Sequence, residues 1–77
     1  MRIELDAEAD VLYVRLSHAR PVRTVEVDAE RHVDYAEDDS IVGVEFLYPS
    51  DGVDTADLPN REEIDRAVRA HGIKVRV

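Results

Sequence analysis

The chain has 77 residues, no cysteine, and eighteen Asp and Glu against ten Lys and Arg, for a net charge of −8. This length supports one small domain, and the absence of thiols excludes disulfides, thiolate metal sites and cysteine nucleophiles. The charge disfavours binding to nucleic acid or anionic membranes, and no apolar run approaches the roughly 20 residues of a membrane span or resembles a secretory leader.

From residue 2 to residue 48 the chain reads as short strands separated by turn residues. In "RIEL", Ile3 and Leu5 alternate with Arg2 and Glu4. The three carboxylates that follow, Asp6, Glu8 and Asp10, precede "VLYVRL", where Leu12, Val14 and Leu16 alternate with Val11, Tyr13 and Arg15. A four-residue loop Ala7–Asp10 pairs Leu5 with Leu12 and Ile3 with Val14, gathering the apolar residues on one face. Asp6 can then accept an amide hydrogen two residues on, and Asp10 suits a left-handed position late in the loop. Glu8, at the tip, stays free to meet a partner.

Pro21 in "SHARPV" marks the next connection. "RTVEV" offers Val25 and Val27, "HVDYA" offers Val33 and Tyr35, and "IVGVEFLY" offers Val42, Val44 and Phe46. A two-residue turn at Asp38–Asp39 would pair Tyr35 with Val42 and Val33 with Val44. The connections are short, so an antiparallel β-meander of about five strands is predicted over residues 1–48. A turn-rich connector over 49–59 leads to a helix over 60–72. Asn60 is its N-cap and Glu63 completes a capping box. Ile64, Ala67, Val68 and His71 share one face, Glu62–Arg66 and Asp65–Arg69 are ion pairs, and Gly72 is the stop. "IKVRV", 73–77, reads as a final edge strand guarded by Lys74 and Arg76. The whole is a single α+β domain, with one helix packed on an antiparallel sheet.

The candidate chemistry is sparse. Asp6, Glu8 and Asp10 have the spacing that opens a calcium loop, but Val11 stands where the loop needs Gly and Ser17 where it needs Glu. They are read instead as turn residues, as are Asp38 and Asp39. His32 and Asp34 project from one strand face, with His32 opposite Glu45. That trio is the candidate set for a divalent metal or a proton relay, against the simpler reading of polar pairs on a solvated face. No serine or threonine has a base or elbow motif beside it, and no glycine-rich loop can cradle a phosphate. No catalytic residue, cofactor or resident metal is therefore expected.

The run Asp6-Ala7-Glu8-Ala9-Asp10, then Leu12-Tyr13-Val14 and Leu16, resembles domain-of-unknown-function family 2283, a group of short prokaryotic proteins. The resemblance continues through Thr24-Val25-Glu26-Val27, Val33-Asp34-Tyr35 and Glu37-Asp38 to Ile41-Val42-Gly43-Val44-Glu45 and Phe46-Leu47. It spans residues 1 to about 48. Asp39 stands where the family favours a turn glycine, and the helix with its final strand extends past the usual end. The resemblance implies a small β-meander with no catalytic residues to carry over. It also implies genes that neighbour small toxin-like partners, which suits an antitoxin-like binder.

A chain this short rarely gains more than about 3–5 kcal/mol from its core alone, so a second copy or another protein is an expected supplement. Val11, Tyr13, Ile41 and Leu47 fall on the sheet's second face and form the expected interaction surface of a homodimer or heteromer. The leading expectation is a cytoplasmic, acidic, non-enzymatic protein-interaction module that binds a basic partner. The alternatives are a small metal-dependent or hydrolytic enzyme using His32, Asp34 and Glu45, and a small-molecule binder around Tyr13 and Tyr35.

Overall fold

The computed structural model describes residues 1–76. Strands β1 (Arg2–Asp6) and β2 (Val11–Arg15) form the first hairpin, in the expected register of Ile3 with Val14 and Leu5 with Leu12. The reversal uses Asp10 at φ 56°, and Asp6 Oδ1 accepts the Ala9 amide at 3.0 Å. That acceptor contact reaches three residues on instead of two, inside the four-residue turn.

Strands β3 (Arg23–Asp28), β4 (Arg31–Tyr35) and β5 (Ile41–Leu47) follow as a meander. The sheet is fully antiparallel, in the order β1-β2-β5-β4-β3. The α+β class and the five strands are as expected, but the strands are not laid down in chain order. Residues 16–22 carry the chain past the ends of β5 and β4, a distance of about 14 Å at the usual strand spacing, before β3 begins. The result is a Greek-key connection in reverse chain direction, with β2 beside β5.

The β4–β5 turn differs from the two-residue reversal expected at Asp38–Asp39. Ala36 donates its amide to Ser40 O at 2.9 Å, and the Asp39 amide reaches Ala36 O at 3.0 Å. Only Asp39 is left-handed, at φ 66°, whereas a two-residue hairpin of the favoured kind needs both central residues there. The loop is therefore three residues long, Glu37–Asp39. The register shift that follows sets Tyr35 opposite Ile41 and leaves Val42 as the extra residue of a bulge. Val33 still faces Val44.

After a 3-10 turn at Pro49–Asp51, strand β6 (Val53–Asp54) lies inside the stretch expected to be a plain connector. Helix α1 (Arg61–Ala70) leads to β7 (Val75–Arg76), which pairs in parallel with β6 and not with the main sheet. Of the expected strand 73–77, Val77 lies outside the described residues. The expected capping box does not form. Asn60 is itself left-handed, at φ 55°, and its amide group donates to Glu63 Oε1 at 3.2 Å instead of accepting a helix amide. Asp65 pairs with Arg69 at 2.6 Å, whereas Glu62 and Arg66 make no ion pair among the described residues. The C-terminus does follow its signal. With Gly72 at φ 73°, the Gly72 amide bonds Arg69 O and the Ile73 amide bonds Val68 O, the double bond of a Schellman motif.

The helix and the β6–β7 ladder cover the sheet's inner face. Ile64, Val68, Leu58, Val53 and Val75 pack with Leu12, Val14, Val33, Val44 and Phe46 in one cluster. Burial of Ile64 and Val68 stabilises the helix by about 1.5–3 kcal/mol each. The cover is also held by a charge. Arg31 shares the inward parity of Val33 and Tyr35 and is only 8% exposed. Its Nη1 donates to Asp54 O at 3.1 Å and Ala56 O at 2.7 Å, while Nε donates to Asp28 Oδ2 at 2.9 Å.

Replacing the guanidinium while keeping most of the packed stem, as in Arg31→Met, orphans two carbonyls. Urea unfolding is expected to show a loss of about 2–4 kcal/mol; a loss below about 1 kcal/mol would mean that water replaces the guanidinium without penalty. The Arg31 hydrogen bond also holds the Asp28 carboxyl below its ordinary 3.8. Its contribution is complete above that value and fades as pH falls through the lower folded value. Acid titration of stability should therefore show a shallower acid-side decline in Arg31→Met than in the parent chain.

Candidate functional site

The outer face of the sheet, away from the helix, carries a lattice of polar side chains at alternate positions. On β2, Tyr13 lies across Gly43 of β5; a Cβ at position 43 would stand 2.5 Å from the phenol oxygen. The bare glycine lets the ring reach over β5 to β4, where its hydroxyl donates to Asp34 Oδ2 at 2.9 Å. Thr24 of β3 donates to Asp34 Oδ1 at 2.5 Å, so one carboxylate gathers three strands. Burial and the Asp34 bond together push the Tyr13 phenol well above its ordinary value of 10.0. Arg15 lies 5.2 Å above the Tyr13 ring and pairs with Glu4 of β1 at 3.2 Å.

His32 stands between two carboxylates of the neighbouring strands. Its Nδ1 is 3.4 Å from Glu45 Oε1 and its Nε2 is 3.6 Å from Glu26 Oε1. Nδ1 is buried and makes no hydrogen bond among the described residues. Of the candidate set His32, Asp34 and Glu45, the structure brings together His32 and Glu45 only. Asp34 is engaged by Tyr13 and Thr24, and Glu26, absent from the sequence-based set, takes the place beside His32. No three His, Asp or Glu side chains among the described residues converge on a cation position.

The surface expected from Val11, Tyr13, Ile41 and Leu47 is not a contiguous apolar patch. Ile41 is displaced by the bulge and packs on the inner cluster. Tyr13 is built into the polar lattice. Val11 and Leu47 remain as half-buried cross-strand partners at one end of the outer face. Asp10 and Asp38 do more than shape turns. Asp10 accepts both the amide and the hydroxyl of Ser50, at 3.1 and 2.5 Å, tying the first hairpin to the 3-10 turn. Asp38 accepts the Ser40 amide and hydroxyl at 3.0 and 2.6 Å, and these bonds lower its carboxyl from the ordinary 3.8. Asp39 pairs with Arg23 at 2.7 Å.

Exposed apolar side chains lie elsewhere. One site is Leu5, exposed beside a shallow groove of about 320 Å³ that the buried Pro49, the half-buried Ile73, Asp10 and Lys74 also line. The other lies along β3, whose six residues are all exposed because the cover stops short of this edge. Val22, Val25 and Val27 are 56%, 41% and 38% exposed. Periodicity alone could not separate Val25 from the covered Val33 opposite it, because both have the same parity; the edge position of β3 is a consequence of strand order.

These features define a small α+β domain, a twisted antiparallel sheet with a covered inner face and a polar outer lattice. The chain belongs to the family described as protein of unknown function (DUF2283), which matches residues 2–50. The match takes in all five sheet strands and ends in the 3-10 turn, so the helix and the parallel ladder lie beyond it. No curated protein and no solved structure matches the chain.

The Tyr13 arrangement is open to spectroscopic test. A neutral phenol is the donor to Asp34, so the stability it contributes is complete below pH 10.0 and is lost only as pH rises through its higher folded value. In ultraviolet phenolate titration, the difference between the parent and Tyr13→Phe should show no Tyr13 increment at pH 10.0. Gly43→Ala, which displaces the ring, should bring that increment down toward the ordinary value. A Tyr13 already half ionised at pH 10.0 in the parent would refute the hydrogen-bonded, desolvated phenol.

Proposed function

We propose that this chain is a cytoplasmic, non-enzymatic protein-interaction module that recognises a basic protein partner, in the manner of an antitoxin-like binder. One observation carries the reading. Tyr13, Thr24 and Asp34 are bonded to one another across the outer face and His32 lies between Glu26 and Glu45, while exposed valines line an uncovered strand edge in a domain of net charge −8. Bound groups make a rigid lattice, and unbound apolar groups beside acidic ones make a surface that a cationic partner can cover.

The charge also favours a heteromer over a homodimer. Two copies bring the same excess of carboxylates to a shared face, whereas a cationic partner is drawn in by the long-range field. No helix among the described residues is long and apolar enough to cross a membrane, which agrees with a partner met in solution. The enzyme reading, with His32, Asp34 and Glu45, has less support because Asp34 is committed to Tyr13 and Thr24.

Affinity purification of the tagged chain from its native host is expected to recover one stoichiometric protein rich in Lys and Arg. Raising the salt from about 0.05 to about 0.5 M should release most of it, because screening shortens the reach of surface charge. Recovery of no stoichiometric protein, or of one retained unchanged at high salt, would refute the basic-partner reading.

A further inference from the structure

We infer that the free edge of β3 is the docking strand, and that it takes an extended partner segment with apolar residues at alternate positions and lysine or arginine between them. This rests on the basic-partner reading above and gives it a place and a geometry.

The sheet ends at β3 on one side and at β1 on the other. Each edge leaves a row of amides and carbonyls without a strand partner, the template that strand addition uses. The edges differ in what stands beside that row. On β1 the outer-facing carboxylate is already paired on both sides: Glu4 lies 3.7 Å from Arg2 and 3.2 Å from Arg15 of β2. This edge has no preference of sign. On β3, pairing with β4 is regular from Arg23 to Glu26, and the bulge comes only after that, between Glu26 and Asp28. The inward row of this regular stretch carries Val25, opposite the buried Val33 and flanked by the exposed Val27. The outward row carries Thr24 and Glu26, with Glu26 leaning to His32 but largely exposed.

The devices that protect an edge are weak here. Arg23 is the one cation within β3, and it is spent: it stacks on Tyr35 at 4.4 Å and pairs with Asp39 at 2.7 Å. Pro21 precedes the strand, and the bulge follows its regular part, so neither interrupts Arg23–Glu26. Beyond the strand, Glu37 and Asp38 add exposed negative charge on the β4–β5 loop.

Charge decides the occupant. A second copy joined about Val25 would set each Thr24 against the partner's Glu26 and bring two acidic edges together. A segment that alternates apolar and basic residues sets an apolar side chain against Val25, with the exposed Val27 beside it at the bulge. Its cations then lie beside Glu26, on the opposite side of the strand, as the period-two geometry of strands requires.

The test titrates the isotope-labelled full chain with three synthetic peptides, observed by amide NMR and hydrogen exchange. The first is a short alternating lysine–valine peptide. The second replaces each lysine with glutamate, and the third is the lysine–valine peptide with a central proline. The lysine–valine peptide should shift and protect amides of Arg23–Glu26. Binding should weaken by about tenfold for the glutamate peptide, and by a similar factor for the proline peptide, which cannot complete the ladder. Glu26→Lys, a change at an exposed position, should weaken the lysine peptide by about three- to tenfold while leaving the unbound spectrum folded.

Equal binding of the lysine and glutamate peptides would overturn the inference. So would concentration-dependent shifts of β3 in the absence of peptide, which would assign the edge to a second copy. If the lysine peptide binds but its shifts map to the outer lattice or the β1 edge, the docking strand is wrong and the basic-partner reading stands. If no lysine peptide binds and purification from the host recovers no basic protein, both fail.

Discussion

A buried guanidinium sets the terms for the rest of this molecule. Arg31 leaves water at a cost of several kcal/mol, and it is tolerated only because every acceptor around it is fixed in place. Those acceptors come from two parts of the chain: the Asp28 carboxylate at the β3–β4 turn, and the carbonyls of Asp54 and Ala56 in the segment that leads to the helix. The demand for satisfied hydrogen bonds thus fixes where the cover enters, and the apolar contacts of Val53, Ile64 and Val68 follow from that entry. Glu30, the residue before Arg31, repeats the tie on the outside. Its carbonyl accepts the Leu47 amide and its carboxylate takes Arg76 at 3.0 Å. Sheet, helix segment and parallel ladder meet at this one corner.

Much of this was legible from the residues, and the misses have causes. Period-two alternation placed the five strands, and Asp10 and Gly72 marked backbone positions that structure places in the left-handed region. The helix was legible from its spacing. What alternation cannot encode is neighbour order. β2 is followed in sequence by β3 but beside it in space lies β5, so Val25 falls on an exposed edge and not in the covered interior. The turn at Glu37–Asp39 shows the same limit at smaller scale, since one residue of extra loop moves Ile41 to the other face. Arg31 carried a signal in its inward parity with Val33 and Tyr35. A charged residue at the start of a strand is, however, ordinarily read as part of the turn.

The outer face illustrates how a small domain can stabilise a surface without an apolar core on both sides. Gly43 gives up a side chain so that Tyr13 can cross a strand, and the single carboxylate of Asp34 on β4 then accepts from β2 and β3 at once. Such a lattice is strong in sum because its members are aligned by neighbouring ladders before they pair. It also explains why residues suited to catalysis stand together here. Their alternation along strands brings them to one face, where Tyr13 and Thr24 bond Asp34 and His32 lies between Glu26 and Glu45.

The strand order has a consequence for how the chain reaches this state. The β1–β2 hairpin and the β3–β4–β5 meander each close over short turns, and local contacts of that kind form quickly. The ladder that joins them pairs Val11 with Leu47 and Leu12 with Phe46, residues from opposite ends of the sheet-forming segment. With the meander already formed, its closure has only the connection over residues 16–22 left to order. Because it joins two units that each form over short turns, the β2–β5 seam is expected to be the last of the five-stranded pairing to be made. Until it closes, the two local units present their apolar faces separately, and the helix has no continuous floor on which to settle.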